Sequence, residues 1–409
     1  MADSEQKLKK GLVLPGGGAR AAYQVGVLRA IVEMIPPGSP NPFPIISGTS
    51  AGAINSAVLA SNADNYRLAV AQMARVWRNF RAHHVYRTDT WTMLRTSLHW
   101  MVTMISGGAL LKHPDCLLDS SPLRKLLARD VDFNKIAASI EHGSLDALAI
   151  TASGYGSAKS ICFYQARPGH RPWHRIRREG RPGKISLDHL MASAAMPVIF
   201  APVRIGDEFF GDGAMRQATP LSAAIHLGAD RLLAISVRDE KGESPRDREW
   251  DVSPSLGQIA GYMLDTLFMD GLYADLERIT RINHLLEHLP QQSAVSGGRL
   301  LRRIDCLVIV PSEDIREIAL KHAHQLPRSV RILLRGMGAM NRGGRQLISY
   351  LLFESGFTRD LIRLGYRDGK AQEEILRAFL YDEPMSSLSA PSSMRADLSG
   401  EEQSPEAEE

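Results

Sequence analysis

The chain has 409 residues, 44% of them hydrophobic and 23% charged, with 22 prolines and three cysteines. That balance excludes a wholly disordered chain, a collagen and a coiled-coil rod, and the length allows two or three domains or one large α/β domain with additions. The formal net charge is +4, but the segment from Glu383 to Glu409 carries seven acids against the single base Arg395, a net −6, which leaves about +10 on residues 1–382. A basic body suits anionic partners, lipid head groups among them.

In chain order, residues 1–8 form a polar, flexible start, and the apolar run Leu12–Leu14 before Pro15 is too short for the core of a signal peptide. Gly11–Leu14 reads as a buried strand entering the loop Pro15-Gly16-Gly17-Gly18, and Ala19 to Ile35 as a helix. Five prolines between Pro36 and Pro44 demand a loop. Phe43–Ser47 is predicted as a second buried strand, Gly48–Gly52 as a sharp turn, and Ala53–Ser61 and Tyr66–Phe80 as helices. Strand–loop–helix repeats of this kind imply parallel strands with helices on both faces. Residues 91–111 are rich in Met, Trp and Leu with basic neighbours, a pattern that suits either a core helix or one lying in a membrane interface.

Strands are predicted at Leu145–Thr151 and Ser160–Ala166. The stretch from Arg167 to Lys184 holds seven basic residues, three prolines and three glycines, and reads as a solvated loop, so no nucleic-acid partner is expected. A helix at Leu187–Met196, a hairpin-like strand region at 203–210, a helix at Leu221–Leu227 and a strand at Leu232–Val237 follow. Gly257–Leu289 reads as a long helix and Ile304–Val310 as a last buried strand, with further helices around Leu333, Ile348 and Leu361. The Ser/Pro/Glu-rich end has little to bury, and disorder is expected there. No apolar stretch reaches the roughly 18 positions of a membrane span. Cys116, Cys162 and Cys306 show no metal spacing, and their odd number argues against a disulfide framework. A reducing cytoplasm is the expected home, with peripheral contact at the inner membrane face through residues 91–111.

Three motifs carry chemistry. Gly48-Thr49-Ser50-Ala51-Gly52 is a G-x-S-x-G turn between a strand and a helix, a setting that lifts a serine Oγ above a sheet for use as a nucleophile. Gly16-Gly17-Gly18-Ala19-Arg20 lets backbone N–H groups converge at the start of a helix, a nest that could hold a phosphate or an oxyanion or be a plain tight turn. Its spelling also fits a dinucleotide fingerprint, but the acid that motif needs near residue 36 is replaced by Pro36-Pro37-Gly38-Ser39-Pro40. Asp212-Gly213-Ala214 places a carboxylate at a strand end, and taken alone it is an ordinary Asp-Gly turn.

In this order the three motifs resemble the patatin-like phospholipase family, over roughly Gly11 to Ile225. Asp119-Ser-Ser-Pro-Leu-Arg124 and Ala192-Ser-Ala-Ala-Met-Pro-Val-Ile-Phe-Ala-Pro202 look like blocks of its bacterial members. The resemblance implies an α/β fold related to the α/β-hydrolases: a three-layer sandwich with a mostly parallel central sheet flanked by helices, and a helical C-terminal extension. The catalytic domain is expected over 9–240; the strands at 231–237 and 304–310 would complete the same sheet, so 241–382 reads as a mainly helical extension packed on the core, and composition gives a disordered acidic tail over 383–409. The resemblance also implies a Ser–Asp dyad of Ser50 as nucleophile and Asp212 as base. Gly16, Gly17, Gly18 and Arg20 would form the oxyanion hole, Gly48, Thr49, Ala51 and Gly52 the nucleophile elbow, and Gly213 and Ala214 would complete the dyad motif. The substrate would be a phospholipid, lysophospholipid or other acyl ester, with no metal or cofactor. A base of ordinary carboxylate pKa is weak, so Asp212 is expected to be partly buried in an apolar cleft.

Two other readings stay open on the sequence. One is a Ser-His-Asp esterase or thioesterase drawing on His226, His284, His288, His322 or His324; the other is a lipid-binding protein that keeps an inactive hydrolase fold.

Overall fold

The computed structural model describes residues 8–89, 106, 116–238, 253–288, 295–296, 299–340, 344–385 and 388–389. The Met/Trp/Leu-rich stretch 91–111, apart from Ser106, and most of the acidic tail lie outside them.

The strands are β1 (Lys10–Leu14), β2 (Ile45–Thr49), β3 (Ala147–Gly154), β4 (Ser160–Ala166), β5 (Trp173–His174), β6 (Arg178–Pro182), β7 (Val203–Ile205), β8 (Glu208–Asp212), β9 (Arg231–Ile235), β10 (Val295–Ser296), β11 (Arg299–Leu300), β12 (Asp305–Ile309) and β13 (Leu388–Ser389). The central sheet runs β13-β12-β9-β1-β2-β3-β4-β6-β5, with β8 also on β3 and β7 on β8. Neighbours from β13 to β3 pair in parallel, whereas β4 and β8 run antiparallel to β3. Strands covered on both faces read as unbroken apolar runs, which is why β1, β2, β9 and β12 stand out in the sequence. Along β1 the alternation sorts the two faces: Leu12 and Leu14 join one apolar core, Val13 the other. The first core packs α1 (Ala22–Met34), α2 (Ala51–Ser61) and α3 (Tyr66–Arg78) against the sheet. The second packs the helices Ser222–His226 and Leu256–His288 against the opposite face. The result is helix, sheet, helix, as the resemblance implies.

Two local expectations change. The second strand begins two residues later than predicted, because the Asn41 side chain bonds both backbone groups of Phe43 and holds it in a turn. Phe43 is buried there against Tyr66 and Phe379. The basic stretch 167–184 is not all loop: β5 and β6 form a sheet edge in it, with Trp173 stacked on Tyr164 at 5.0 Å. Edge strands tolerate the prolines and charges that hid them.

The register brings distant segments together. β2 ends with Thr49 opposite Thr151 of β3, and β8 ends with Asp212 opposite Ala152, the next residue. β4 fills the other edge of β3 across the same positions. β8 therefore abuts the end of β2, and residues 50 and 212 meet. β1 lies on the far side of β2, with Leu14 opposite Gly48, so the glycine loop after β1 opens at the same end. Ligands of open α/β sheets bind outside the carboxyl ends of parallel strands, which is where these segments converge.

Candidate active site

Ser50 caps α2 with φ 54° and ψ −127°. A non-glycine residue in that region is strained, and strain of about 1–3 kcal/mol persists only where the surroundings enforce it. Here they do. The Ser50 amide donates to Ser193 Oγ at 2.9 Å, and the Ser193 hydroxyl donates to the Thr151 carbonyl at 2.6 Å. The turn also needs its glycines. A Cβ on Gly52 would sit 2.0 Å from the Leu14 carbonyl oxygen, and one on Gly48 2.4 Å from Ser56 Oγ. Thr49 donates its hydroxyl to Gln217 Oε1, whose amide nitrogen in turn donates to Thr151 Oγ1 at 3.3 Å. Ala51 opens α2 and lines the cavity beside Ser50.

Asp212 is 1% exposed. Its Oδ1 accepts the Ala214 amide at 3.0 Å, and Gly213 gives its carbonyl to the Ser153 hydroxyl at 3.1 Å. Burial pushes the Asp212 carboxyl up to about 7, against the Ser50 hydroxyl and the Ala214 amide, both of which favour its charged form. Oδ2 makes no hydrogen bond of ordinary geometry among the described residues. The Ser50 hydroxyl is within hydrogen-bonding reach of the carboxyl, and that contact opposes the effect of burial. A carboxyl poised near neutrality beside a serine is the arrangement general-base chemistry requires.

The glycine loop flanks the serine. A Cβ on Gly16 would lie 2.9 Å from Ser50 Cβ, and Gly18 lines the same cavity as Ser50. Gly17 packs on Val237 and accepts the Arg20 amide at 3.1 Å through its carbonyl. The Arg20 side chain turns the other way, to Asp265 and Ser349. The cavity itself runs from Ser50 along α2 past Ile54 and Val58, walled by Met73, Trp77, Leu127, Met196, Phe200 and Phe353. Its lining among the described residues contains no histidine. His226 stacks on Trp173 at 4.9 Å, and His322 bonds Asp360 at 2.7 Å. No group of three or more His, Cys, Asp or Glu among the described residues has a geometry that would hold a metal.

A patatin-like phospholipase family model matches residues 12–225, just over half of the chain. The chain belongs to the patatin-like phospholipase family. Ser50, Asp212 and the glycine loop all fall within the matched region, whereas the helices that hold Arg20 lie beyond it. This patatin-like chain is also similar, at 40% identity over 88 residues, to "Lysophospholipase nte1" of Aspergillus terreus. The protein of that name in Aspergillus oryzae is 39% identical over the same length. Each match spans 20% of this chain and 5% of the relative. Among solved structures, VipD from Legionella pneumophila is similar at 13% identity, covering 86% of this chain and 69% of that one with a TM-score of 0.30. Human GIVD cytosolic phospholipase A2 is similar at 11% identity, covering 91% of this chain and 60% of that one with a TM-score of 0.42.

Sequence reasoning missed Ser193, Gln217 and the cavity wall. Ser193 lies within the Ala192–Pro202 block, so the block was visible while the hydrogen bond was not. Met73, Trp77 and Leu127 are apolar helical positions that the sequence cannot separate from ordinary core, and Met196 and Phe200 lie in the same block as Ser193.

Proposed function

We propose that the chain is a serine acyl-ester hydrolase acting on phospholipids and lysophospholipids. The observation that carries this reading is a strained, buried Ser50 facing a buried carboxyl of raised pKa at the head of an apolar cavity. Ser50 Oγ attacks the ester carbonyl carbon as Asp212 takes its proton. The amides of Gly17 and Gly18 receive the developing oxyanion. The carbon–oxygen bond to the leaving alcohol breaks, and Asp212 returns the proton to that oxygen. Asp212 then takes a proton from a water, which attacks the acyl carbon; the bond from that carbon to Ser50 Oγ breaks, Asp212 returns the proton to Oγ, and the fatty acid leaves. Family membership supports the ester class, and the cavity without a histidine among the described residues favours the dyad over a Ser-His-Asp triad. The intact serine, aspartate and glycine loop disfavour an inactive binding protein. Purified protein is expected to release fatty acid from phosphatidylcholine, phosphatidylglycerol and lysophospholipids in a chromatographic assay. Release by no member of that panel would overturn the reading.

The cavity gives the acyl chain its place. Val58 lies eight residues beyond Ser50 on α2, about 12 Å along the helix axis. Val58→Phe should lower kcat/KM for long-chain p-nitrophenyl esters roughly tenfold, the scale that pocket volume supports, and leave short-chain esters unchanged. Equal loss across the series would show that the chain lies elsewhere.

Anionic membranes are the proposed working surface, supported by the net charge of about +10 on residues 1–382 and by the composition of 91–111. No helix among the described residues is long and apolar enough to cross a membrane. Co-sedimentation with phosphatidylglycerol vesicles should exceed that with phosphatidylcholine vesicles and weaken with salt. Binding indifferent to both would remove this part of the proposal.

A further inference from the structure

Arg20 belongs by sequence to the glycine loop, yet its side chain is 2% exposed and is held entirely by helices outside the family-matched region. Its Nε donates to Ser349 Oγ at 2.8 Å, and its Nη1 donates to Asp265 Oδ1 at 3.1 Å. The guanidinium carbon lies 4.0 Å from the centroid of the Tyr350 ring, on its face. Tyr350 OH donates to the same Asp265 Oδ1 at 3.1 Å, and the ring stacks on Phe268 at 5.3 Å. Asp265 and Phe268 sit on the Leu256–His288 helix, Ser349 and Tyr350 on the Arg345–Leu351 helix. Burial raises the Asp265 carboxyl, but Arg20, Arg238, Gln346 and Tyr350 together hold it below its ordinary value, so it stays charged.

The same residues press on the loop backbone. A Cβ on Gly16 would meet the Phe268 ring at 2.4 Å, and one on Gly18, whose φ is +54°, would meet the Tyr350 carbonyl oxygen at 2.4 Å. The loop is therefore fixed from one side by packing and from its far end by a buried ion pair. An amide donor stabilises an oxyanion only where it is held at the right place before the reaction, and errors of about 1 Å cost on the order of 100-fold.

We infer that Asp265, with Ser349 and Tyr350, is a positioning group for the oxyanion loop: it anchors Arg20 and through it sets the Gly17 and Gly18 amides beside Ser50. This rests on the hydrolase reading given above. It assigns the C-terminal helices a part in the chemistry of the matched domain and explains why a buried charge pair stands at the junction, where an apolar pair would pack as well.

The test uses the full chain and four variants: Ser349→Ala, Tyr350→Phe, Asp265→Asn and Asp265→Glu. Tyr350→Phe keeps the ring over Arg20 and removes one hydroxyl. Active sites are titrated with a fluorophosphonate, and kcat is expressed per titrated site, so that loss of folded protein does not register. We expect kcat per site to fall 10- to 100-fold in Asp265→Asn and about 3- to 10-fold in Ser349→Ala and Tyr350→Phe, with KM within twofold. The rate constant of phosphonylation should fall in parallel, and Asp265→Glu should recover part of the loss. If Asp265→Asn does not fold, the Ser349 and Tyr350 variants decide. Values of kcat per site within twofold of wild type in every folded variant, or a change confined to KM, would overturn the inference. Wild type and Ser50→Ala run beside them separate the two levels: no hydrolysis by wild type means that the hydrolase reading has failed, and hydrolysis retained in Ser50→Ala means that Ser50 is not the nucleophile.

Discussion

Ser50→Ala is expected to abolish ester hydrolysis, by at least about 10⁴-fold in kcat, while the protein folds as before. The magnitude follows from removing the attacking atom, after which only binding and oxyanion stabilisation remain. The fold should survive because the serine contributes to the turn through its backbone, whose amide donates to Ser193 Oγ and whose carbonyl accepts the Ala53 amide at 3.0 Å. Alanine at φ 54° bears strain similar to that of serine, so the melting temperature should change little. Retained hydrolysis in Ser50→Ala, with contaminating esterase excluded, would dismiss Ser50 as the nucleophile.

Asp212→Asn has two effects of opposite sign. Activity should fall about 10²- to 10⁴-fold, because the amide accepts no proton from Ser50. Stability should rise at neutral and higher pH. The folded protein keeps the Asp212 proton up to about pH 7, whereas the unfolded chain releases it near 3.8. Between those values the folded state binds more protons, so this group makes wild-type stability fall as pH rises. Asparagine has no such ionisation and still offers Oδ1 to the Ala214 amide. The variant should match wild type near pH 4 and exceed it by roughly 2–4 kcal/mol at pH 8, read from urea denaturation. In the wild type the acid limb of kcat/KM should lie near pH 7. An acid limb near 4 with no difference in stability would mean that the carboxyl is not held in the buried state described here.

A stabilising sign is what the proposed base role predicts for Asp212. Burying the Asp212 carboxyl is costly, and an asparagine or an apolar residue there would be expected to be more stable. The same logic applies to Ser50, whose backbone is strained in a molecule that otherwise keeps few non-glycine residues at positive φ: among those described, Ala158, Val198 and Asp382 are the others.

How much of this was legible depended on whether the signal was local. The strands at 10–14, 45–49, 231–235 and 305–309 announced themselves because both faces are buried, and a doubly covered strand is apolar throughout. The serine turn was legible because its two glycines are required by atoms within a few residues or on the adjacent strand. Asp212 was different. Its neighbourhood reads as a plain turn, and only the order of three motifs singled it out. What brings it to Ser50 is the change of partner along β3 from Thr49 to Asp212, a fact of register that no local pattern encodes. The clamp on Arg20 was invisible for the same reason: Asp265, Ser349 and Tyr350 lie 245 to 330 positions away and look like ordinary helical residues. The edge strands at 173–182 were missed because edges carry the prolines, glycines and charges that loops carry.

The most direct measurement is mass spectrometry of the protein after treatment with a long-chain fluorophosphonate across a pH series. The account predicts a single adduct on the peptide that contains Ser50, absent in Ser50→Ala, forming at a rate that rises with an ionisation near pH 7. An adduct on another residue, or labelling of Ser50→Ala at the wild-type rate, would contradict it.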